Sequence, residues 1–277
     1  MNSCKFLILG NGFIGNKLNK YFEDSVLSPK RINSKEDVIE EINQNNPKIV
    51  INCIGKTGSP NIDWCEDNKK ETIESNILVP LHIAEACKEK GIKMVHIGSG
   101  CIYQGDKDGA GFSEDDEPNY YGSFYSITKI ISEKMLNKFD NVLQIRIRMP
   151  LSAEKSQRNL ITKLLGYKKI ISVKNSISIL EDTTDIIKKL VDLNQTGIFN
   201  VVNKGAVNHE ELLSIYEEIS GIKLGYEVIS TEDLNKMTKA GRSNCILSTN
   251  KLESIGISPK NTLESLRKII KNYIENN

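Results

Sequence analysis

The sequence has almost no net charge, no long apolar run and no paired metal-ligand spacing. Its formal net charge is +1 over 277 residues. A balance this close to zero gives no basic surface for nucleic acid or an anionic membrane to select. No stretch approaches the length of a membrane span, and the first apolar run is too short for a signal peptide. The six cysteines (Cys4, Cys53, Cys65, Cys87, Cys101 and Cys245) contain no C-x-x-C pair, and the three histidines (His82, His96 and His209) are scattered. Neither a zinc site nor a disulfide framework is expected, and a reducing cytoplasm fits best. No internal repeat and no low-complexity linker occurs, and the glycosylation triplet at Asn194 is read as chance.

What is present is ordinary in bulk: 39% hydrophobic and 26% charged residues over a length that allows one large domain with an appendage, or two small domains. The organisation is not ordinary. A short apolar run, Phe6-Leu7-Ile8-Leu9, leads directly into Gly10-Asn11-Gly12-Phe13-Ile14-Gly15, and a helical stripe of Ile14, Leu18, Tyr21 and Phe22 follows. Gly-x-Gly-x-x-Gly between strand and helix is the context of a dinucleotide fingerprint. Gly10 permits the tight turn, Gly12 lets backbone approach a pyrophosphate, and Gly15 lets the helix pack closely. Phosphate would sit at the helix amino terminus, over residues Gly10 to Gly15. A second strand ends at Ser28, where an acidic ribose ligand is usual for NAD. Here Lys30 and Arg31 follow. Those cations suit a 2′-phosphate, so NADP(H) is the expected cofactor.

Apolar strands over 48–54, 93–98 and 141–148 alternate with helices over 71–90 and within 119–139. Continuous apolar strands alternating with helices predict a doubly wound parallel sheet covered on both faces, a Rossmann-type α/β fold. We place the dinucleotide-binding domain at 1–150. The remainder, 151–277, reads as a smaller substrate lobe that is mostly helical (208–220, 231–239 and 262–276). Segments near 170–202, with strands at 170–173 and 197–202, are expected to return to the sheet.

Tyr125 and Lys129 are four residues apart in a helical pattern, which stacks their side chains one turn apart. An ammonium beside a phenol is expected to lower the phenol's pKa, readying it to exchange a proton with a carbonyl oxygen. Ser99 would hydrogen-bond the same oxygen. Together they form a Ser-Tyr-Lys device for hydride chemistry at a carbonyl. Tyr103 and Lys107 share the spacing but fall in a loop, where it has no geometric meaning. Tyr120 and Tyr121 read as packing or substrate-lip residues. Gly55-Lys56-Thr57 resembles the end of a phosphate loop, but Val50 stands where its first glycine belongs, so that reading is rejected.

If residues 99–101 are extended, Cys101 projects to the same side as Ser99 and faces the same substrate. Cys4, Cys53 and Cys87 are assigned to the core instead. Arg242, in a glycine-flanked loop, suits a substrate diphosphate through bidentate contacts.

The glycine turn, Ser99 and Tyr125-x-x-x-Lys129 resemble an extended short-chain dehydrogenase/reductase. Pro60-Asn61-Ile62-Asp63-Trp64-Cys65-Glu66, Arg146-Ile147-Arg148-Met149-Pro150, Arg158-Asn159-Leu160-Ile161-Thr162-Lys163 and Gly241-Arg242-Ser243-Asn244 narrow the likeness. They resemble the plant-type bifunctional nucleotide-rhamnose synthases, from about residue 5 to 270. One departure is the glycine turn, which has only Asn11 where that family usually has two residues. The resemblance implies conversion of UDP-4-keto-6-deoxy-D-glucose (or its dTDP analogue) to the L-rhamnose nucleotide with NADPH. It implies a 3,5-epimerase as well as a 4-reductase. It casts Cys101 as the base, Lys163 as the opposing acid and Asn159 as a substrate ligand. It also implies that Asn76 supports the active-site backbone from a helix interior, that no metal is needed, that the enzyme is a homodimer, and that a 4,6-dehydratase supplies the substrate. Two alternatives stay open: a reductase acting only on 4-dehydrorhamnose nucleotides, and a non-catalytic NADP-binding subunit like the regulatory subunit of methionine adenosyltransferase.

Overall fold

The computed structural model describes residues 4–276. Along the chain run β1 (Phe6–Leu9), α1 (Phe13–Tyr21), β2 (Ser25–Ser28), α2 (Lys35–Asn45), β3 (Ile49–Asn52), α3 (Asp63–Asp67), α4 (Lys69–Ile73), α5 (Val79–Glu89), β4 (Lys93–Ser99), α6 (Phe124–Leu136) and β5 (Val142–Ile147). There follow α7 (Leu160–Gly166), β6 (Lys169–Ile171), α8 (Leu180–Asp192), β7 (Gly197–Asn200), α9 (His209–Ser220), β8 (Glu227–Ile229), α10 (Thr231–Met237), α11 (Asn250–Ser254) and α12 (Thr262–Asn276). Six strands form one sheet in the order β2-β1-β3-β4-β5-β7, and every neighbouring pair is parallel.

The expected doubly wound sheet is therefore present, for the expected reason. β1, β3 and β5 are buried along their whole length. β1 is apolar on both faces, as a strand covered on both sides favours, whereas β5 turns the buried, hydrogen-bonded Gln144 and Arg146 to one face. On one face Leu18, Ile186, Ile187 and Leu190 of α1 and α8 pack against Phe6, Ile8, Ile51 and Leu143. On the other, Val38, Ile42, Ile83, Ala84 and Cys87 of α2 and α5 cover Leu7, Leu9, Val50 and Met94. Each fully buried Leu or Ile contributes about 1.5–3 kcal/mol relative to exposure. A third cluster joins α7, α9 and α12 through Ile161, Leu164, Leu212, Leu213, Leu266 and Ile270.

Parallel register brings the carboxyl ends of the strands to one edge: Leu9 lies beside Asn52, and Ser99 beside Ile147. The order reverses between β1 and β3, which opens the crevice where such sheets bind ligands.

Two elements differ from expectation. Residues 71–90 do not form one regular helix, because a π-helical turn, Glu74–Leu78, separates α4 from α5. The wider turn carries Asn76, fully buried, to the backbone of Lys56. The strand near 170 does not return to the main sheet. Lys169–Ile171 instead pairs in parallel with Glu227–Ile229 as a separate two-stranded sheet. The place beside β5 is taken by β7, with Leu143 opposite Gly197.

Candidate active site

The glycine turn is built as its residues require. Gly10 has φ +106°, and a Cβ there would lie 2.8 Å from the Cys53 carbonyl carbon. A Cβ on Gly15 would lie 2.0 Å from the Gly10 oxygen, whereas nothing stands within 4 Å of one on Gly12. Gly12 is the N-cap of α1, no side chain caps that end, and the first turn holds no acid. The Asn16 amide fixes the turn by donating to Asn11 Oδ1 at 2.8 Å and to the Gly12 carbonyl at 2.9 Å. Phe13 opens the helix half-buried, and Ile14 packs on the core. Open space above Gly12 and uncapped N–H groups fit a dinucleotide pyrophosphate.

Beyond β2 the two cations separate. Lys30 Nζ is bonded to Glu40 and lies 3.2 Å from Asp37. Arg31 is exposed and forms no ion pair among the described residues. Only Arg31 is thus free for a 2′-phosphate.

Ser123 caps α6, accepting from the Ser126 N–H at 3.1 Å, and Glu66 accepts from the Phe124 N–H at 2.7 Å. Those contacts fix the start of α6 and hence the direction of Tyr125 and Lys129. Both are buried, at 7% and 6% exposure. Lys129 Nζ lies 5.9 Å from the centre of the Tyr125 ring. A Cβ on Gly55 would sit 3.4 Å from the same nitrogen, so a side chain there would crowd it. Asn76 accepts from the Lys56 N–H at 2.7 Å and donates to Thr128 Oγ1 at 3.1 Å, tying β3's exit loop to α6. The supporting role expected for Asn76 is what the structure has.

The electrostatics correct one expectation. Burial pushes the Tyr125 phenol up and the nearby Cys101 adds to it, while the Ser99 hydroxyl pulls it down. Desolvation is the largest influence, so the phenol is held up rather than lowered. Burial pushes Lys129 down to about 8.

Cys101 reaches Ser99 by a different route from the one expected. β4 ends at Ser99, so the alternation of a strand does not extend to Cys101. A turn folds it back, and its N–H donates to Ser99 Oγ at 3.1 Å. Ser126 Oγ donates to the Cys101 carbonyl at 2.6 Å, which ties this turn to α6. The cation against the sulfur is not Lys163. Arg148 Nη1 donates to Cys101 Sγ at 2.7 Å. Lys163 sits half-buried on α7, with its pKa pushed down by burial and by Arg158 and Arg242.

Asn159 also corrects expectation. It is fully buried as the N-cap of α7, donating to the Ser152 and Glu154 carbonyls at 2.7 Å and accepting from the Ile161 N–H at 3.0 Å. Both amide N–H groups are taken and the residue is fully buried, so it presents no donor to a substrate. Arg242 carries an acid of its own, donating to Asp63 Oδ1 at 2.9 Å. It lines a cavity of about 370 Å³ with Tyr120, Gly122 and Lys239. Asp63, Glu66 and Arg148 were given no role in the sequence reading. The available signal for Arg148 is its position: a charged residue immediately after a buried parallel strand stands on the ligand edge. Among the described residues no cluster of side chains is arranged to hold a metal, and no helix is long and apolar enough to cross a membrane.

The family model described as the RmlD substrate binding domain matches residues 4–275. The chain belongs to that family. An Arabidopsis thaliana protein named bifunctional dTDP-4-dehydrorhamnose 3,5-epimerase/dTDP-4-dehydrorhamnose reductase is 36% identical over 280 residues, covering 97% of this chain and 93% of that protein. A trifunctional 4,6-dehydratase/3,5-epimerase/reductase of the same plant is 36% identical over 262 residues, but this chain spans only 39% of its length. The crystal structure of the UDP-rhamnose synthase from Acanthamoeba polyphaga mimivirus superposes with a TM-score of 0.92 at 35% identity, covering 98% of this chain and all of that one. A dTDP-4-dehydrorhamnose reductase from Bacillus anthracis, solved in complex with NADP, has a TM-score of 0.84 over 100% of this chain and 99% of that one; at 18% identity it shares the fold. The expected likeness to plant-type rhamnose synthases is borne out.

Proposed function

We propose that this protein reduces the C4 ketone of a nucleotide-linked 4-keto-6-deoxy sugar with NADPH, and that it first epimerises C3 and C5. UDP-4-keto-6-deoxy-D-glucose would thereby become UDP-L-rhamnose. The observation that carries this reading is the meeting of two devices at one strand edge. Ser99, Tyr125 and Lys129 converge there, and Cys101 is hydrogen-bonded to Ser99 itself. A relative whose name combines epimerase and reductase matches over 97% of this chain and 93% of its own length.

When bound, NADPH supplies the hydride for C4. The residues do the rest. Ser99 and Tyr125 hold the C4 oxygen, and Tyr125 gives it the proton that completes the alcohol. Lys129, an ammonium below about pH 8, offsets the phenolate that this leaves. For epimerisation, Cys101 takes a proton from C3 or C5. The C–H electron pair moves to the C4 oxygen as an enolate, and Lys163 returns a proton from the other face. Arg31 receives the 2′-phosphate, and Arg242 the substrate diphosphate. The reading includes a cytoplasmic homodimer supplied by a 4,6-dehydratase.

Product analysis with UDP-4-keto-6-deoxy-D-glucose and NADPH is the direct test, with UDP-L-rhamnose expected and the dTDP sugar as competitor. Tyr125→Phe should lower turnover by about two to four orders of magnitude while cofactor still binds. In deuterated water without NADPH, wild type should exchange at C3 and C5 and Cys101→Ala should not. Reduction without any wild-type exchange would leave a reductase that needs pre-epimerised substrate.

A further inference from the structure

Arg148 directly follows β5 and is 3% exposed. Its Nη2 donates to Asn175 Oδ1 and to the Ser243 carbonyl, its Nη1 to Cys101 Sγ, and its buried Nε has no acceptor. None of these partners is a carboxylate. A guanidinium does not give up its proton, and a buried one is normally matched by an acid. Among the groups whose charge bears on Arg148, four can carry a negative one: Cys101, Cys245, Tyr125 and Tyr120. Cys245 is buried and donates its own S–H to the Gly100 carbonyl at 3.3 Å, so it is occupied as a neutral thiol. Tyr125 and Tyr120 keep their protons, because burial pushes both phenols up. His209, the other titratable group facing the guanidinium, is a base and supplies no negative charge. Cys101 is what remains, and it accepts from Arg148 Nη1 at 2.7 Å.

We propose that Arg148 is a positioning residue for Cys101: it aims the sulfur at the sugar face and balances the negative charge the sulfur carries while poised to accept a proton. This rests on the reading of Cys101 as the base. In the step itself a C–H bond breaks, an S–H bond forms, and the electron pair passes to the C4 oxygen held by Ser99 and Tyr125. Nothing is oxidised or reduced. Asn175 and the Ser243 carbonyl anchor the guanidinium from the far side, so the sulfur is held from the sheet edge and the substrate lobe together.

The test compares wild type, Arg148→Lys and Arg148→Gln by two readouts. The first is the pH dependence of iodoacetamide alkylation of Cys101, followed on its peptide by mass spectrometry. Tyr120, Tyr125, Lys129 and Cys245 also face the sulfur, so only differences between variants are read. Arg148→Gln should raise the alkylation midpoint by at least about one pH unit, with Arg148→Lys in between. The second is deuterium exchange at C3 and C5, which should fall at least tenfold more than NADPH-dependent reduction of the pre-epimerised 4-keto sugar does. Thermal unfolding selects the folded variants; if Arg148→Gln does not fold, Arg148→Lys alone must still move both readouts. A folded variant with the wild-type midpoint and wild-type exchange would make Arg148 a packing residue and overturn the proposal. If wild type shows no exchange at all, the epimerase reading fails, and the alkylation midpoint then decides the Arg148–Cys101 pairing by itself.

Discussion

Arg146 and Arg148 stand two residues apart at the end of β5, and both are almost completely buried. Arg146 faces α6, where Glu133 meets it with both oxygens, at 2.7 Å from Nε and 2.8 Å from Nη2. The Tyr103 ring lies 5.3 Å from it, and the Ser113 and Glu114 carbonyls take remaining donors. Arg148 has two carbonyl oxygens, a sulfur and no carboxylate. The same division recurs after β2, where Lys30 is held by Glu40 and Asp37 and Arg31 is free. Lys129 is another buried cation that forms no ion pair among the described residues. Arg146 and Lys30, each with an acid of its own, join elements of the fold. Arg148, Arg31 and Lys129, without one, stand toward the edge where sheets of this kind bind ligands, while Arg242 has an acid, Asp63, and still lines a cavity.

The comparison breaks most visibly in stability. Arg146→Met should cost about 3–5 kcal/mol, because Glu133 would stay buried without a partner. Urea unfolding measures it, and Arg146→Met combined with Glu133→Leu should recover much of the loss. A loss below about 1 kcal/mol would mean that Glu133 escapes to solvent and that the pair is not architecture.

Lys129→Met should have the opposite sign. Burial pushes Lys129 down to about 8 from an ordinary 10.5, so the folded state disfavours the charged form. That penalty is fully present below about pH 8 and fades as the pH rises towards 10.5. Lys129→Met should therefore be more stable than wild type by on the order of 2–3 kcal/mol at pH 7, with the gap closing in alkali. The same variant should lose most NADPH consumption with the 4-keto sugar. Paired unfolding curves at pH 7 and pH 10 test the sign. A variant less stable than wild type at pH 7 would show that Lys129 holds the fold together.

What was legible in the sequence follows the range of the interactions. Gly10, Gly12 and Gly15 act on their own turn, and Tyr125 and Lys129 on one turn of α6, so spacing alone found them. The buried strands were legible because strands covered on both faces are rich in Val, Ile and Leu, even where β5 admits Gln144 and Arg146. The π turn at Asn76 was not, since its cause is the Lys56 backbone twenty residues upstream. Nor was β8, in which Glu227 and Val228 are exposed, leaving no apolar pattern to read. Asn159 was a different kind of miss. Asn immediately before Leu160-Ile161 is an N-cap signature, and that local reading predicts its place better than the family likeness does. Arg148 and Cys101 are 47 residues apart. Only the parallel register of β4 and β5 brings their loops together.

The smallest effect separates the two adjacent cations after β2. Arg31→Ala should weaken NADPH binding by about 1–3 kcal/mol and leave NADH nearly unchanged, since only NADPH carries the 2′-phosphate that a charged hydrogen bond would hold. Lys30→Ala should change either cofactor by less than about 1 kcal/mol, because its ammonium is already taken by Glu40 and Asp37 at the surface. Fluorescence titration of both cofactors against the two variants reads the difference directly. Equal affinity of wild type for NADPH and NADH would remove the 2′-phosphate contact altogether. Equal losses in the two variants would mean that the phosphate draws Lys30 away from its acids, and a surface carboxylate would then be too weak a claim on a cation to decide which one serves the ligand.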